Sequence, residues 1–425
     1  METLGQPFHG NKNIQRGASR RPTRLFVMLV QFGVTNFRSI KEKIVLSLAA
    51  SADNSHERVL ITPAGRTKLL PAVAIYGANA SGKSNILLAV QTMQSMLTGV
   101  NSQLLKEKKL PYDSYMFLET PTDPTEFEVI YLYQKIKYAY SFSYNEDEIL
   151  SEYLYHWPKG REALIFSHEN GRFKFTENVS EQSVLASRTP SNKLYMVSSN
   201  EWNAPQTASA YRWFTENLQP CDEHITTEAT SRAINCQGNR PVRDKILNAL
   251  KTADLGINNV HIENNLSNHN KLSVSMVHKV TNDAGDIEQY AIPLERESNG
   301  TQRFFSRIGP WIIALEKGGI LFVDDIEASM HPLLTKHMVE MMQNPEININ
   351  GAQLVFTTHD TMLLNLSVLR RDQIWFSDKN DKTLSSSLFS LWDFSVRKDE
   401  NIQKGYLQGR FGAIPFFGNV SSLIK

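Results

Sequence analysis

The sequence predicts an α/β fold with a mixed sheet, an antiparallel β subdomain and a largely helical insertion. Three features lead to this prediction. A short apolar run is followed by a glycine-rich loop and a helix-period segment, strand-like segments alternate after it, and a second apolar run far downstream ends in two carboxylates. With 425 residues, the chain is long enough for two ordinary domains or for one domain with a large insertion.

The bulk composition is that of a folded globular protein, with 41% hydrophobic and 21% charged residues. A net charge of +1 gives no overall field that would attract nucleic acid or an anionic membrane. No apolar run is long enough to span a bilayer, so no membrane partner is expected. The 2 cysteines form no CxxC pair, which argues against a zinc ribbon or a disulfide framework and favours a cytoplasmic location.

The chain begins with a polar, basic stretch, which we expect to be a disordered leader over residues 1–27. Apolar runs at 29–34, 44–48 and 72–76 then predict strands, the last of them buried. Alternating segments between 126 and 175 predict an antiparallel meander, and the polar segment from 178 to about 253 predicts inserted helices. Strands are expected again at 271–293, and a strand at 373–377 is expected to end the alternation of helices and strands after Asn299.

The strongest motif is the segment from Gly77 to Ser84, with the sequence GANASGKS, which matches the phosphate-binding loop GxxxxGK[ST]. Its glycines allow the backbone to wrap around phosphate, and amides at the start of the following helix point at the anion. Lys83 is predicted to reach the β- and γ-phosphates of ATP, and Ser84 to ligate Mg²⁺. A chance turn is an unattractive alternative, because a buried strand precedes the loop and an amphipathic helix follows it.

A second motif ends the apolar run that begins at Ile320. It carries Asp324, predicted to hold Mg²⁺, and Asp325, predicted to polarise the attacking water. A buried strand that begins at Leu354 then ends at His359. Upstream, Ser298 is a plausible N-cap of a helix that we expect to bend or end at Gly309-Pro310.

The sequence resembles the ABC-type ATPase heads of SMC, RecF and OLD proteins in the order of its motifs along the chain: the phosphate-binding loop, a long insertion, the segment at Ser298, the paired aspartates and the histidine. Within that group it is most similar to bacterial abortive-infection ATPases of the RloA/AbiL kind. The closer likeness depends on residues 298–301, 329–332, 357–360, 370–375 and 405–413. The resemblance implies an ABC-type P-loop ATPase head in two halves, 28–177 and 256–425. The helical insertion, 178–255, is then a candidate dimer or partner surface.

The resemblance also implies roles for particular residues. Ser298 and Gly300 would contact the γ-phosphate bound by the opposite protomer, in a head-to-head homodimer that sandwiches ATP. Asp325 and His359 would be the catalytic pair, His359 as the sensor of the γ-phosphate, and Ser329 and His331 would lie at the seam between the heads. The full set of predicted nucleotide contacts is Gly77, Asn79, Ser81, Gly82, Lys83, Ser84, Asn85, Ser298 and Gly300.

One departure from the family concerns the end of the second motif, where Asp324-Asp325 stands in place of the usual Asp-Glu. Aspartate is one methylene shorter, and a displacement of roughly 1 Å can cost on the order of 100-fold in rate. We therefore expect slow ATP hydrolysis, unless the local backbone compensates. Glu327 is the next candidate for the catalytic carboxylate.

Three functions remain open at this point. The first is an ATP-driven sensor or scaffold of an antiphage system, with DNA or a phage protein as trigger and a separate toxic nuclease as partner. The second is a self-contained nuclease of the OLD type, but the 66 residues after His359 are too few for a TOPRIM domain of roughly 100 residues. The third is a DNA-repair clamp of RecF or SMC type, although the heptad arms of an SMC protein are absent.

Overall fold

The computed structural model describes residues 27–63, 67–98, 109–117, 123–219, 227–236, 238–253, 255–265, 271–397 and 400–415. The leader predicted at 1–27 lies outside these residues except for its last position. The strands are β1 (Val27–Thr35), β2 (Ile44–Ser47), β3 (Ala72–Tyr76), β4 (Thr125–Tyr133), β5 (Ile136–Tyr144), β6 (Ile149–His156), β7 (Ala163–Glu169), β8 (Arg172–Phe175), β9 (Ile257–Asn265), β10 (Lys271–Thr281), β11 (Ile287–Pro293), β12 (Ile320–Val323), β13 (Gln353–Thr357), β14 (Ile374–Lys379) and β15 (Ser386–Ser390). The α-helices are α1 (Lys83–Thr98), α2 (Val179–Ser187), α3 (Tyr195–Glu201), α4 (Pro205–Glu216), α5 (Thr227–Asn235), α6 (Arg240–Thr252), α7 (Asn299–Lys317), α8 (Pro332–Gln343) and α9 (Ile402–Leu407).

These strands form three sheets. A seven-stranded antiparallel sheet has the order β2-β1-β4-β5-β6-β7-β8, and a three-stranded one has the order β11-β10-β9. The central sheet has the order β12-β13-β3-β14-β15; its first four strands are parallel and β15 is antiparallel to β14. The predicted α/β fold class, with a mixed sheet and an antiparallel β subdomain, is confirmed.

The central sheet lies between two hydrophobic cores, which explains why its strands are apolar without alternation. Along β3, Val73 and Ile75 face one core while Ala72, Ala74 and Tyr76 face the other. Every residue of β3, β12 and β13 is buried, as expected for parallel strands covered on both faces. By contrast, β4 alternates between buried and half-buried residues, because one face of the antiparallel sheet packs on the core.

The helices between residues 178 and 253 divide between the two cores. In the first core, Trp213 of α4 stacks on Tyr131 of β4 with ring centroids 4.2 Å apart. In the second core, α5 and α6 pack against α7. The predicted domain boundaries, and the predicted partner surface on this segment, stay predictions. Within the described ranges, no helix combines the length and apolar character needed to cross a membrane.

The structure corrects two expectations. Of the two outcomes expected for α7 at Gly309-Pro310, an end is wrong, because the helix continues to Lys317, and a bend stays a prediction. Thr230 of α5 lies against this helix, where its hydroxyl accepts from the Gly309 amide at 3.1 Å and donates to the Phe305 carbonyl at 2.7 Å, so a side chain supplies hydrogen bonds where proline weakens the helical ladder. The strand at 374–379 is also not the last element, because β15 and α9 follow it.

Candidate functional site

The glycine-rich loop joins the carboxyl end of β3 to the start of α1, as the sequence predicts. Two close approaches explain its glycines. A Cβ at Gly77 would lie 2.3 Å from the Ser377 carbonyl oxygen, and one at Gly82 would lie 2.1 Å from Ser386 Oγ. Gly82 also has φ 102°, which disfavours any side chain. Strands β14 and β15 therefore lie so close to the loop that these two positions have no room for a side chain.

A cluster of hydroxyl groups fixes the second half of the loop. Ser377 Oγ donates to the Ser81 carbonyl at 2.9 Å, and Ser386 Oγ lies 2.7 Å from the same carbonyl. Ser386 Oγ also lies 2.7 Å from Ser39 Oγ, which accepts from the Asn85 amide at 2.7 Å. The side chain of Asn85 thus supports the loop from behind in this conformation. None of the three supporting serines was singled out from the sequence.

The polar groups of the loop fit a phosphate ligand. Lys83 Nζ donates to the carbonyls of Gly77 at 2.9 Å and Ala78 at 3.0 Å, so its ammonium group closes back on the loop. Burial lowers the pKa of Lys83, and the carboxylates of Asp325, Asp324 and Glu327 oppose that shift.

Three other predicted contacts lie on the same loop and helix. Ser81 Oγ is buried without a hydrogen-bond partner, which is costly unless a ligand supplies one. Asn79 is exposed, and Ser84 is half-buried at the start of α1.

The carboxylates at the end of β12 are held by the end of the neighbouring strand β13. Thr357 Oγ1 donates to Asp324 Oδ1 and accepts from the Asp325 amide at 2.8 Å. One step further, Glu327 accepts from Thr358 Oγ1 at 2.7 Å and from the His359 amide at 2.6 Å. The two motifs that the sequence placed separately are therefore one hydrogen-bonded unit.

This arrangement changes the interpretation of Glu327. Both of its carboxylate oxygens are engaged by the segment that carries His359, so Glu327 positions that segment. Thr357 and Thr358 were missed from the sequence. The available signal was their place at the end of a buried parallel strand, next to the strand that carries the carboxylates.

Asp325 and His359 come close to each other at the surface of this unit. Their closest atoms, His359 Nε2 and Asp325 Oδ1, are 3.9 Å apart, too far for a direct hydrogen bond. Burial, then the charges of Asp324 and Glu327, raise the pKa of Asp325, while His359 and Lys83 oppose the rise. A raised pKa makes this carboxylate a better proton acceptor, as a general base requires. Asp325 also adopts a left-handed backbone conformation with φ 43°, which aspartate tolerates better than most residues.

The predicted signature lies at the start of α7. Ser298 is the N-cap, and its Oγ accepts from the Thr301 amide at 3.1 Å. A Cβ at Gly300 would lie 2.9 Å from the Ser329 carbonyl oxygen, so the helix start approaches the turn after β12 too closely for a side chain. In the described part of the chain, no hydrogen bond joins Ser298 or Gly300 to the loop at 77–84 of the same chain. His331 caps the next helix, α8, with its Nδ1 accepting from the Leu333 amide at 3.2 Å.

The described residues offer few protein ligands for a metal ion at this site. Among the residues that the structure describes, no three His, Cys, Asp or Glu side chains gather as a metal site. A Mg²⁺ ion held by Ser84 and Asp324 would depend on phosphate oxygens and water for its other ligands, which is how Mg²⁺ commonly binds.

A comparison of the chain with family models found a match. A family model described as "AAA domain, putative AbiEii toxin, Type IV TA system" matches residues 72–365, more than half of the chain, and spans both the loop and His359. The comparison with curated proteins found no match.

Two solved structures are similar to the chain. The SMC head domain from Thermotoga maritima is 11% identical with a TM-score of 0.40, over 85% of this chain and 98% of that one. An SMC head bound to the C-winged helix domain of ScpA is 12% identical with a TM-score of 0.40, over 86% of this chain and 97% of that one.

Proposed function

The chain belongs to this family of AAA domains, and on that premise we propose that it binds ATP with Mg²⁺ and hydrolyses it slowly in a head-to-head dimer. Family membership bears out the resemblance that the motifs predict. One observation carries the proposal: β3, β13 and β12 are adjacent parallel strands. The phosphate-binding loop and the paired carboxylates therefore leave the same edge of the sheet, where ligands of open α/β sheets bind.

Each residue at this edge of the sheet has its own role in the proposal. Lys83 would exchange the carbonyls of Gly77 and Ala78 for phosphate oxygens, and the orphaned hydroxyl of Ser81 would donate to the same anion. Ser84 and Asp324 would hold Mg²⁺, which when bound neutralises charge on the phosphates. Asp325 would orient the attacking water and accept its proton.

ATP binding is tested by removing the ammonium group of the loop. Lys83→Ala should abolish ATP binding in calorimetry, because no other cation of the loop reaches the phosphates. Lys159→Ala removes an exposed cation from a distant turn and serves as the matched control. Binding of ATP by Lys83→Ala with wild-type affinity would refute the assignment of the loop.

The proposed dimer is supported by one observation: among the described residues, no hydrogen bond joins Ser298 or Gly300 to the loop of their own chain. A two-fold symmetric pair of heads gives each loop the signature of its partner, so two identical composite sites form. ATP should therefore raise the mass measured by light scattering, and Ser298→Arg should prevent this by placing a bulky side chain at the seam. Gln134→Arg, in the exposed turn between β4 and β5, controls for the added charge. An ATP-induced dimer of Ser298→Arg equal to wild type would contradict a signature that acts across the seam.

The biological role that we propose is that of a sensor or scaffold in an antiphage abortive-infection system, controlling a separate toxic nuclease. The family description, which names a toxin system, supports this role, as does the short side chain of Asp325, which favours a long-lived ATP-bound state. Affinity purification from the native host, with wild type and Lys83→Ala compared during phage infection, tests the role. A copurifying nuclease whose toxicity requires Lys83 is the expected result.

Two other outcomes would redirect the proposal. Growth arrest caused by this chain expressed alone would make the chain itself the toxin. If DNA strongly stimulates ATP hydrolysis by the isolated chain, that result would favour a DNA-repair ATPase of RecF or SMC type.

A further inference from the structure

Helix α7, which begins at the signature, also reaches the turn that carries the catalytic carboxylates. The guanidinium group of Arg307 is fully buried and donates to three successive carbonyls of that turn. They belong to Asp324 at 3.4 Å, Asp325 at 3.2 Å and Ile326. A buried guanidinium with this many donors holds the backbone in a fixed fork geometry that a lysine cannot reproduce.

A second contact joins the same helix to the same turn. Gly300 lies so close to the Ser329 carbonyl that a Cβ would be 2.9 Å from the oxygen. Gly300 and Arg307 are about two helical turns apart and therefore share one face of α7. That face thus contacts both ends of the turn after β12: Arg307 contacts its first residues, and Gly300 contacts Ser329 at its end.

The turn itself has a backbone that needs external support. Asp325 with φ 43° and Ser329 with φ 60° are both in the left-handed region, which is unfavourable for serine and only tolerated by aspartate. Thr357 holds the turn from one side and Arg307 from the other. Gly300 and Arg307 lie on one continuous stretch of α7 that precedes Pro310, so movement of the first turn carries Arg307 with it. A displacement of its first turn would therefore shift the carbonyls that Arg307 holds.

We propose that Arg307 is a positioning residue that couples the two ATP sites of the dimer. This inference rests on the proposed function. When the signature of a chain engages ATP on the partner, α7 moves, and Arg307 aligns the Asp324 and Asp325 carboxylates at that chain's own ATP. Each site then hydrolyses only when the other is loaded.

The test measures ATP hydrolysis by wild-type chains whose partner chains cannot bind ATP. Lys83→Ala chains are added in increasing excess to wild-type chains, so that each wild-type chain pairs with a Lys83→Ala chain. In such a mixed dimer only the loop of the wild-type chain binds ATP. The partner's signature still completes that site, but the wild-type signature now faces an empty loop. Hydrolysis per wild-type chain should fall by roughly tenfold or more, the scale of a misplaced catalytic group. An equal excess of Lys159→Ala chains should leave the rate unchanged.

Arg307→Lys chains, titrated in the same way, give the decisive comparison. Their rate should start lower, with the KM for ATP unchanged, and should not respond to Lys83→Ala partners. An equal fall in the Arg307→Lys chains would overturn the inference, and so would the lack of a fall in wild type. If the wild-type protein neither binds ATP nor dimerises, the proposed function fails and this inference fails with it.

A second measurement leaves Arg307 intact. In mixed dimers, the amides of Asp325 and Ile326 in the Lys83→Ala chain should exchange hydrogen several-fold more slowly once ATP is added. Both amides bond to Thr357 within the chain and precede Ser329, which is expected at the seam, so their protection reports on the signature helix and not on burial between the heads. Adding Ser298→Arg to the same chain should remove the effect, and unchanged exchange without that addition would overturn the coupling.

Discussion

Thr357 is the residue whose loss should separate ATP binding from hydrolysis most cleanly. It is fully buried, and its single hydroxyl holds the Asp324 carboxylate and the Asp325 amide together. Thr357→Val keeps the branched shape of the side chain and removes only this hydroxyl. Any effect of the substitution therefore reports on the two hydrogen bonds.

The size of the effect follows from those bonds. A hydrogen bond to a charged group contributes about 1.5–3 kcal/mol, and a buried amide left without a partner costs about 1–3 kcal/mol. Since water can reach the half-buried Asp324 and replace part of the first term, we expect a loss of about 2–3 kcal/mol in the free energy of unfolding. Hydrolysis should fall by at least about tenfold, because both carboxylates lose their fixed positions.

The assay compares ATP hydrolysis, ATP affinity and urea unfolding. Affinity measured without Mg²⁺ should be unchanged, because the hydroxyl of Thr357 bonds to Asp324 and Asp325 and, among the described residues, not to the loop at 77–84. Thr357→Ser, which keeps the hydroxyl, should hydrolyse ATP nearly as fast as wild type. Thr358→Val is the matched neighbour and should loosen Glu327 and His359 instead. A Thr357→Val protein that hydrolyses ATP at the wild-type rate would refute the idea that β13 aligns the carboxylates.

The remaining predictions concern two other carboxylates. Asp325→Asn should keep the left-handed turn but stop hydrolysis and retain ATP, whereas Asp325→Glu should raise the hydrolysis rate; a slower Asp325→Glu would mean that the backbone has adapted to aspartate. Burial raises the pKa of Glu152 from 4.5 to about 7, against the hydrogen bonds that Tyr140 and the amides of Tyr195 and Met196 donate to it. The folded state therefore binds this proton more tightly than the unfolded chain, so about 3 kcal/mol of stability present below pH 4.5 is lost as the pH rises through about 7. Glu152→Gln should flatten that part of the pH profile in urea titrations, and an unchanged slope would show that Glu152 titrates normally.

Local patterns explain what could be predicted. The loop at 77–84 depends on glycines and a lysine at fixed spacing between a strand and a helix, all within one short segment. The buried strands β3, β12 and β13 were visible because parallel strands covered on both faces must be apolar throughout. The roles assigned to the nucleotide-contacting residues stay predictions.

Local rules failed where distant residues took over. Proline at position 310 normally ends a helix, but α7 continues because Thr230, from another helix, bonds to its backbone. The helices at 178–253 pack on opposite sides of the central sheet, which the sequence did not indicate, while the predicted bounds of the insertion stay predictions. Sequence patterns report which face of a helix is apolar, and not which core that face meets.

The sequence by itself therefore predicted the groups on which the proposed chemistry depends: a phosphate-binding loop, two carboxylates at one strand end and a histidine at the next. The tertiary structure alone decided how these groups are connected. Thr357 joins the carboxylates to the histidine segment, Arg307 joins the backbone carbonyls of their turn to α7, and Ser39 with Ser386 supports the loop. Serine, threonine and arginine are common at many kinds of position, so their identity predicts no particular partner. Only the folding of distant segments against one another selects the carbonyl or carboxylate that each one meets.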